Sequence, residues 1–200
     1  MSLPNMSEIS DTRSLILNAA IELFVDHNYD AVSVRQIAQA ANCHLGSISY
    51  HFGGKEKLYE ACFDSLDFSE FFKCLSLLDE AESNLEFSSK LEGFIYDAGL
   101  FALKNRKVLC LYFKETYSQT PRIKDIRSRV QEPALKHISL YFQKGKDRGI
   151  IREDLNVSFL VRTLLTIIQT EFVFKPSSIH ELKIISKEFI NLCNRSIYVS

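Results

Sequence analysis

Two hundred residues, 46% hydrophobic and 24% charged with a net charge of −1, describe one full-sized soluble domain or a small domain joined to a larger one, and exclude a wholly disordered chain. Seven glycines and four prolines are too few for the tight turns of an all-β sandwich or barrel. The five cysteines, at 43, 62, 74, 110 and 193, form no Cys-x-x-Cys pair, and the polar stretch from Met1 to Asp11 does not resemble a signal peptide, so unpaired thiols and a cytoplasmic location are expected.

Periodicity is helical nearly throughout. From Thr12 to Asp26, Leu15, Ile16, Ala19, Ala20, Leu23 and Phe24 recur at the spacing of one helix face, with Ser10 or Asp11 as the expected cap. A turn follows at His27-Asn28-Tyr29-Asp30. Ser33-Val34-Arg35-Gln36 has the form of a capping box opening a short helix to Ala41. Asn42 tolerates the left-handed conformation that ends a helix, and a second short helix runs from about His44 to His51 until Gly53-Gly54 breaks it. From Lys55 one longer helix is expected to about residue 75.

Further helices are expected at about 86–103, 105–117, 122–147, 155–173 and 178–194. Pro121 suits a first turn, Pro133 a kink, Gly149 a C-terminal cap, and Pro176 separates the last two. No segment alternates with the two-residue period of a strand, so the expected fold class is all-α. The apolar stretch from Val157 to Phe174 is interrupted by Arg162, Gln169 and Glu171. It reads as a helix buried on more than one side rather than a membrane span, which needs about 20 mostly apolar residues.

Residues 33–51 read as helix, three-residue turn, helix, with the helix at 12–26 placed to pack across both. This is the helix-turn-helix arrangement, whose second helix enters the DNA major groove. Leu45, Ser47 and Ser49 are expected to face base edges, the serines as donors or acceptors and Leu45 toward a thymine methyl. His44, which opens that helix, is counted with them. Arg35 is the long cation nearest to them, placed for guanine or phosphate. Tyr50 and His51 can donate to phosphates, and Gly53-Gly54-Lys55 sets backbone N–H groups and an ammonium at a helix N-terminus, a phosphate site. The plainer alternatives are that His51 fixes the turn by a local hydrogen bond and that Tyr50 is partly core. Residues 1–60 carry 4 Lys and Arg against 7 Asp and Glu, which argues against strong non-specific DNA binding and for a dimer.

Ile37-Ala38, Ala41, Gly46, Ile48, Tyr50-His51-Phe52, Lys55 and Leu58, with Ile16-Leu17, Ala19-Ala20 and Leu23-Phe24 upstream, resemble the tetracycline-repressor (TetR) family over about residues 12–60. Asn42 stands where that family usually has Gly, His44 where it has a Ser or Thr cap, Ser49 at a commonly aromatic position and Leu45 at a frequently polar or basic one. The resemblance implies a DNA-binding domain at 1–54 and a ligand-binding and dimerisation domain at 55–200. It also implies a homodimer on a palindromic operator and release by a small molecule.

Of the 23 Phe and Tyr residues, 18 follow residue 60. Phe94, Phe101, Tyr112, Phe142 and Phe172 are the candidate lining for an apolar or planar inducer; plain helical core is the competing reading. The last two helices carry apolar residues on more than one face, so Leu160, Leu164, Ile168, Leu182, Ile185 and Phe189 are the candidate dimer interface.

Competing chemistry finds no support. Gly54-Lys55 lacks the rest of a P-loop, no hydrolase or zinc-protease motif occurs, and Cys43, His44 and His51 match no standard metal spacing. No cofactor, metal site or membrane association is expected. The basic stretch 121–153 reads as a solvated face. The alternative function is a small helical enzyme or ligand-binding protein with a helix-turn-helix-like start.

Overall fold

The computed structural model describes residues 6–116, 121–175 and 178–196, and the described residues are helical with no sheet. The chain divides into two compact units, Met1–Leu66 with Lys107–Arg122, and Asp67–Arg106 with Ile123–Ser200.

The first unit contains α1 (Met6–Asp26), a single 3₁₀ turn (Tyr29–Ala31), α2 (Val34–Ala40), α3 (Leu45–Phe52), α4 (Lys55–Asp64) and most of α7 (Arg106–Thr116). The apolar stripe of α1 buries Ile16, Ala20 and Phe24 with Ile37 and Ala38 of α2, Ile48 and Phe52 of α3, and Leu58, Cys62 and Phe63 of α4. Each buried Ile, Leu or Phe among them contributes about 1.5–3 kcal/mol on leaving water, which is how such short helices hold together. Lys107 pairs with Glu22, and Lys114 donates to the Val25 carbonyl.

Two sequence expectations in this unit are corrected. Helix α1 begins at Met6, so Ser10 and Asp11 lie inside it rather than at its cap; the preceding Ser-Glu-Ile contains no helix breaker. The helix expected from Lys55 to residue 75 is two helices. It stops at Asp64, and the Asp67 carboxylate accepts the Ser69 N–H at 2.9 Å to start α5 (Phe68–Leu75). Capping chemistry overrides an apolar pattern that runs on through the break.

In the second unit α6 (Asn84–Lys104) is the central helix; α5, α10 (Val157–Ile168), the π-turn that follows it (Gln169–Phe174) and α11 (Ile179–Ser196) all pack against it. Gly99 permits this closeness, since a Cβ there would lie 2.4 Å from Leu182 Cδ1 and 3.1 Å from the Phe172 ring. The core joins Phe87, Leu91, Phe94 and Ile95 of α6 to Ile138, Tyr141 and Phe142 of α9 (Glu132–Asp147), Leu160 and Leu164 of α10, and Phe189 of α11. Arg106 donates to the carbonyls of Val173 and Phe174 at 2.8 and 3.2 Å, satisfying the end of the α10 segment.

The helix expected at 122–147 starts at Pro121 as anticipated, but it is α8 (Pro121–Ile126), a π-turn (Arg127–Gln131) and then α9. Pro133 falls in the first turn of α9, where its missing N–H costs nothing, and the irregularity precedes it. Gly149, at φ +69°, closes α9 as expected. Pro176 lies outside the described residues. The basic stretch is solvated but partly paired: Lys144 and Arg148 both reach Glu80, at 2.6 and 2.7 Å.

Val157–Phe174 is, among the described residues, the one stretch apolar and long enough to cross a membrane by composition (mean hydropathy 1.5). Only 28% of it is buried, so it is not covered on several sides as expected. Leu160, Val161, Leu164, Phe172 and Val173 face the core, and Phe159 and Phe174 face outward. Among the described residues no disulfide joins the cysteines, and burial pushes the Cys62 and Cys193 thiols up to about 12.

Candidate nucleic-acid interface

The motif is assembled by local signals. The Ser33 hydroxyl accepts the Gln36 N–H at 3.2 Å, and the Gln36 side chain accepts the Ser33 N–H at 2.8 Å; this closes the expected capping box. Two of the orphan donors at the start of α2 are thereby satisfied. The turn then passes through Asn42 at φ +49°, the one left-handed non-glycine among the described residues. Helix α3 opens at His44, whose side chain makes no capping bond, as its residue type suggested.

Ile48 and Phe52 anchor α3 in the core, which leaves the rest of the helix facing out. Leu45 is half exposed, Ser49 is exposed and Tyr50 is 73% exposed; Arg35 and His44 are exposed and Ser47 is half-buried. Tyr50 is therefore surface rather than core. Ser47 interacts with the Cys43 thiol, which burial nevertheless pushes above its ordinary value. The His51 ring lies against those of Tyr50 and Phe52, and it makes no hydrogen bond among the described residues. The local-bond alternative for His51 therefore finds no partner.

Gly53 (φ +76°) and Gly54 (φ +127°) form the turn into α4, a backbone course that side chains rarely permit. Lys55 follows at once, with its ammonium 4.1 Å from the centre of the Tyr29 ring. Two further cations were not singled out from sequence. Lys57 folds back over Gly53, and Arg13 of α1 sits 4.8 Å from the centre of the Phe52 ring. Lys57 lies in the first turn of α4 itself, whereas only the packing of α1 brings Arg13 to the end of α3. Residues 31–55 contain no Asp or Glu, so the acidity of the first 60 residues is carried elsewhere in that segment. The outward face of α3 thus offers hydroxyls, imidazoles and cations with no carboxylate of its own to repel phosphate, the exposed Glu56 following only in the first turn of α4.

The other sequence candidates fall as follows. Phe94, Phe142 and Phe172 are buried in the second unit, Phe101 lies 5.6 Å from Phe71, and Tyr112 belongs to the first unit. The four in the second unit therefore sit in side-chain packing, and Tyr112 is not among them. A separate groove of about 640 Å³ lies between α6 and α11, with Asn84, Ser88, Glu92, Lys187, Asn191 and Asn194 in its walls. Leu160, Leu164, Leu182 and Phe189 face the interior of their own unit, while Ile168 and Ile185 are half-buried. The stripe expected to meet a partner is the one that fills the chain's own core. The large apolar residues left outside on these helices and the π-turn between them are Phe159, Phe174, Ile179, Ile184 and Leu192.

Residues 16–62 match the family profile of the bacterial regulatory proteins of the tetR family. Over that segment the chain is similar to the TetR family. The chain is 29% identical over 160 residues to the transcriptional repressor KstR2 of Mycolicibacterium smegmatis, covering 78% of this chain and 75% of the relative. It is 38% identical over 56 residues to IcaR, the negative regulator of the biofilm operon in Staphylococcus aureus, covering 26% and 30% of the two chains. Its fold is similar to that of the ketosteroid transcriptional regulator KstR2 of Mycobacterium tuberculosis, with a TM-score of 0.74, 21% identity and coverage of 94% and 95%. The hemolysin II regulator HlyIIR shares the fold at a TM-score of 0.66 and 19% identity, covering 96% and 99%. The protein is a transcriptional regulator and not an enzyme.

Proposed function

We propose that this TetR-family regulator is a homodimeric repressor that binds a palindromic operator and leaves it when a small molecule binds the second unit. The observation that carries the reading is the outward face of α3: Leu45, Ser49 and Tyr50 stand out from a helix locked into the core by Ile48 and Phe52, beside a Gly-Gly-Lys turn and with no acidic residue from 31 to 55. In this arrangement Leu45, Ser47 and Ser49 read base edges, Arg35 and His44 flank them, and Tyr50, His51 and Lys55 hold phosphates.

A single recognition helix with so few cations binds weakly, so two copies act together, their helices about one DNA turn (34–36 Å) apart. The partner is a second copy joined through the uncovered apolar side of α10 and α11, at Phe159, Phe174, Ile184 and Leu192. The inducer is apolar or planar and enters among the aromatic side chains around Phe94, Phe101, Phe142 and Phe172. It must bind the DNA-incompetent state more tightly, since equal affinity for both states shifts nothing. That the M. tuberculosis relative is described as a ketosteroid regulator fits this class of ligand.

Selection of bound duplexes from a random-sequence pool tests the reading. It should return a two-fold symmetric site whose binding is lost when Leu45 and Ser49 are replaced by Glu. Recovery of no preferred sequence would overturn it.

A further inference from the structure

Lys55 is held from behind by a connected set of rings. Its ammonium sits over Tyr29, and the Tyr29 ring lies 4.8 Å from that of Tyr59 on α4 and 5.8 Å from that of Phe24 on α1. Tyr59 in turn stands edge-on to Phe24 at 4.8 Å and to Phe63 at 5.1 Å. The Tyr59 hydroxyl donates to the Glu115 carboxylate of α7 at 2.6 Å. Tyr29 lies on a single 3₁₀ turn between α1 and α2, so its ring owes its place to these neighbours and not to a helix face.

A lysine on a surface turn ordinarily samples many rotamers, and docking it onto a phosphate oxygen costs that freedom. The negative face of an aromatic ring attracts the ammonium and narrows the choice before DNA arrives. The ring covers one side of the ammonium only, and Lys55 remains half exposed, so its other donors stay available to an anion.

We propose that Tyr29 and Tyr59 are positioning residues for DNA binding, a platform that holds the Lys55 ammonium ready for a phosphate and is anchored at its far end by Glu115 of α7. The proposal rests on the reading of the α3–α4 turn as a DNA contact. It differs from a purely structural role for the rings, under which Tyr29 would affect stability and leave the engagement of Lys55 untouched.

The test is affinity against salt concentration, measured with the full chain well below the melting temperature of each variant, on the duplex recovered from the random pool. Lys55→Ala should lower the slope of log affinity against log salt by about one unit per half-site. Tyr29→Leu should weaken binding about two- to fivefold per protomer and lower the slope in the same direction. Tyr29→Phe, which keeps the ring, should retain both. The double variant Tyr29→Leu with Lys55→Ala should bind no worse than Lys55→Ala alone, because the platform acts only through the lysine. Tyr59→Phe, which removes the hydroxyl that donates to Glu115 and keeps the ring, should give a smaller loss of the same kind.

Losses that multiply in the double variant, or a Tyr29→Leu variant with normal affinity and slope, would overturn the platform while leaving the DNA reading intact. Full affinity in Tyr59→Phe would overturn the anchoring by Glu115. If Lys55→Ala itself has normal affinity and slope, the turn is not a phosphate contact and the platform falls with it.

Discussion

Helix α3 and the pair α10–α11 both leave part of their surface uncovered, and the two surfaces differ in kind. The outward side of α3 carries Ser49, Tyr50 and a half-exposed Leu45, bordered by Arg35, Lys55 and Lys57. The outward side of α10 and α11 carries Phe159 at 60% exposure, Ile184 at 48% and Leu192 at 56%. A polar, cation-edged face stays hydrated until a polyanion offers it better contacts. An apolar face gains by leaving water against any complementary surface, and a second copy of the same chain presents one. Being uncovered therefore identifies neither partner, whereas the chemistry of the uncovered atoms separates them.

The largest expected effect comes from confusing the inner and outer sides of α10. Leu164 is 0% exposed, so Leu164→Arg buries an unpaired charge in the core and should cost about 3–5 kcal/mol, read as a collapse of the thermal unfolding transition. Phe159→Arg with Ile184→Arg touches only the outer side. The circular dichroism spectrum should be preserved while sedimentation shows a monomer, and affinity for a palindromic duplex should fall about a hundredfold from lost bivalency. If the outer variant unfolds like the inner one, the two sides are not distinct.

A smaller effect is expected where the recognition motif is nucleated. Ser33→Ala removes the cap of α2 and should lower stability by about 1 kcal/mol in chemical denaturation, with Ser33→Asp retaining most of it. Binding should follow stability, not change its salt dependence, because Ser33 supports the motif from its end.

The smallest effect is electrostatic and belongs to the second unit. The hydrogen bond and charge of Lys144, with help from Arg148, hold the exposed Glu80 carboxyl below its ordinary value. A lowered folded-state pKa contributes stability at neutral pH that is lost as the pH falls through the ordinary carboxylate range, near 4, toward the lower folded value. Glu80→Gln should flatten that acid-side decline slightly in denaturation curves taken at several pH values. An unchanged decline would show the pairs to be screened by solvent.

Much of the DNA-binding unit was legible in sequence because its signals are local. Ser33 and Gln36 are three residues apart and cap each other, Asn42 tolerates its own left-handed backbone, and Gly53-Gly54 ends α3 through its own torsions. None of these depends on a distant partner. The end of α4 was misread because the apolar rhythm of Leu58, Cys62 and Phe63 continues into Phe71 and Leu75, while Asp67 restarts the helix by one carboxylate bond to Ser69. Arg13 and the ring set behind Lys55 were invisible because residues far apart in the chain, such as Tyr59 and Glu115, 56 positions apart, meet only through packing.

Sequence by itself determined the helical class, the order of the helices from α1 to the start of α4 and the outward placing of Leu45 and Ser49 on α3, since a helix anchored by Ile48 and Phe52 has only one opposite face. It could not decide which apolar stripe of α10 and α11 faces inward. Leu160, Leu164 and Phe189 on one side, and Phe159, Ile184 and Leu192 on the other, have the same chemistry. A helix apolar around most of its circumference has no preferred rotation until its neighbours are placed. Packing against α6 decides that rotation, with Gly99 leaving room for Leu182 and the Phe172 ring, and only the tertiary structure brings these residues together.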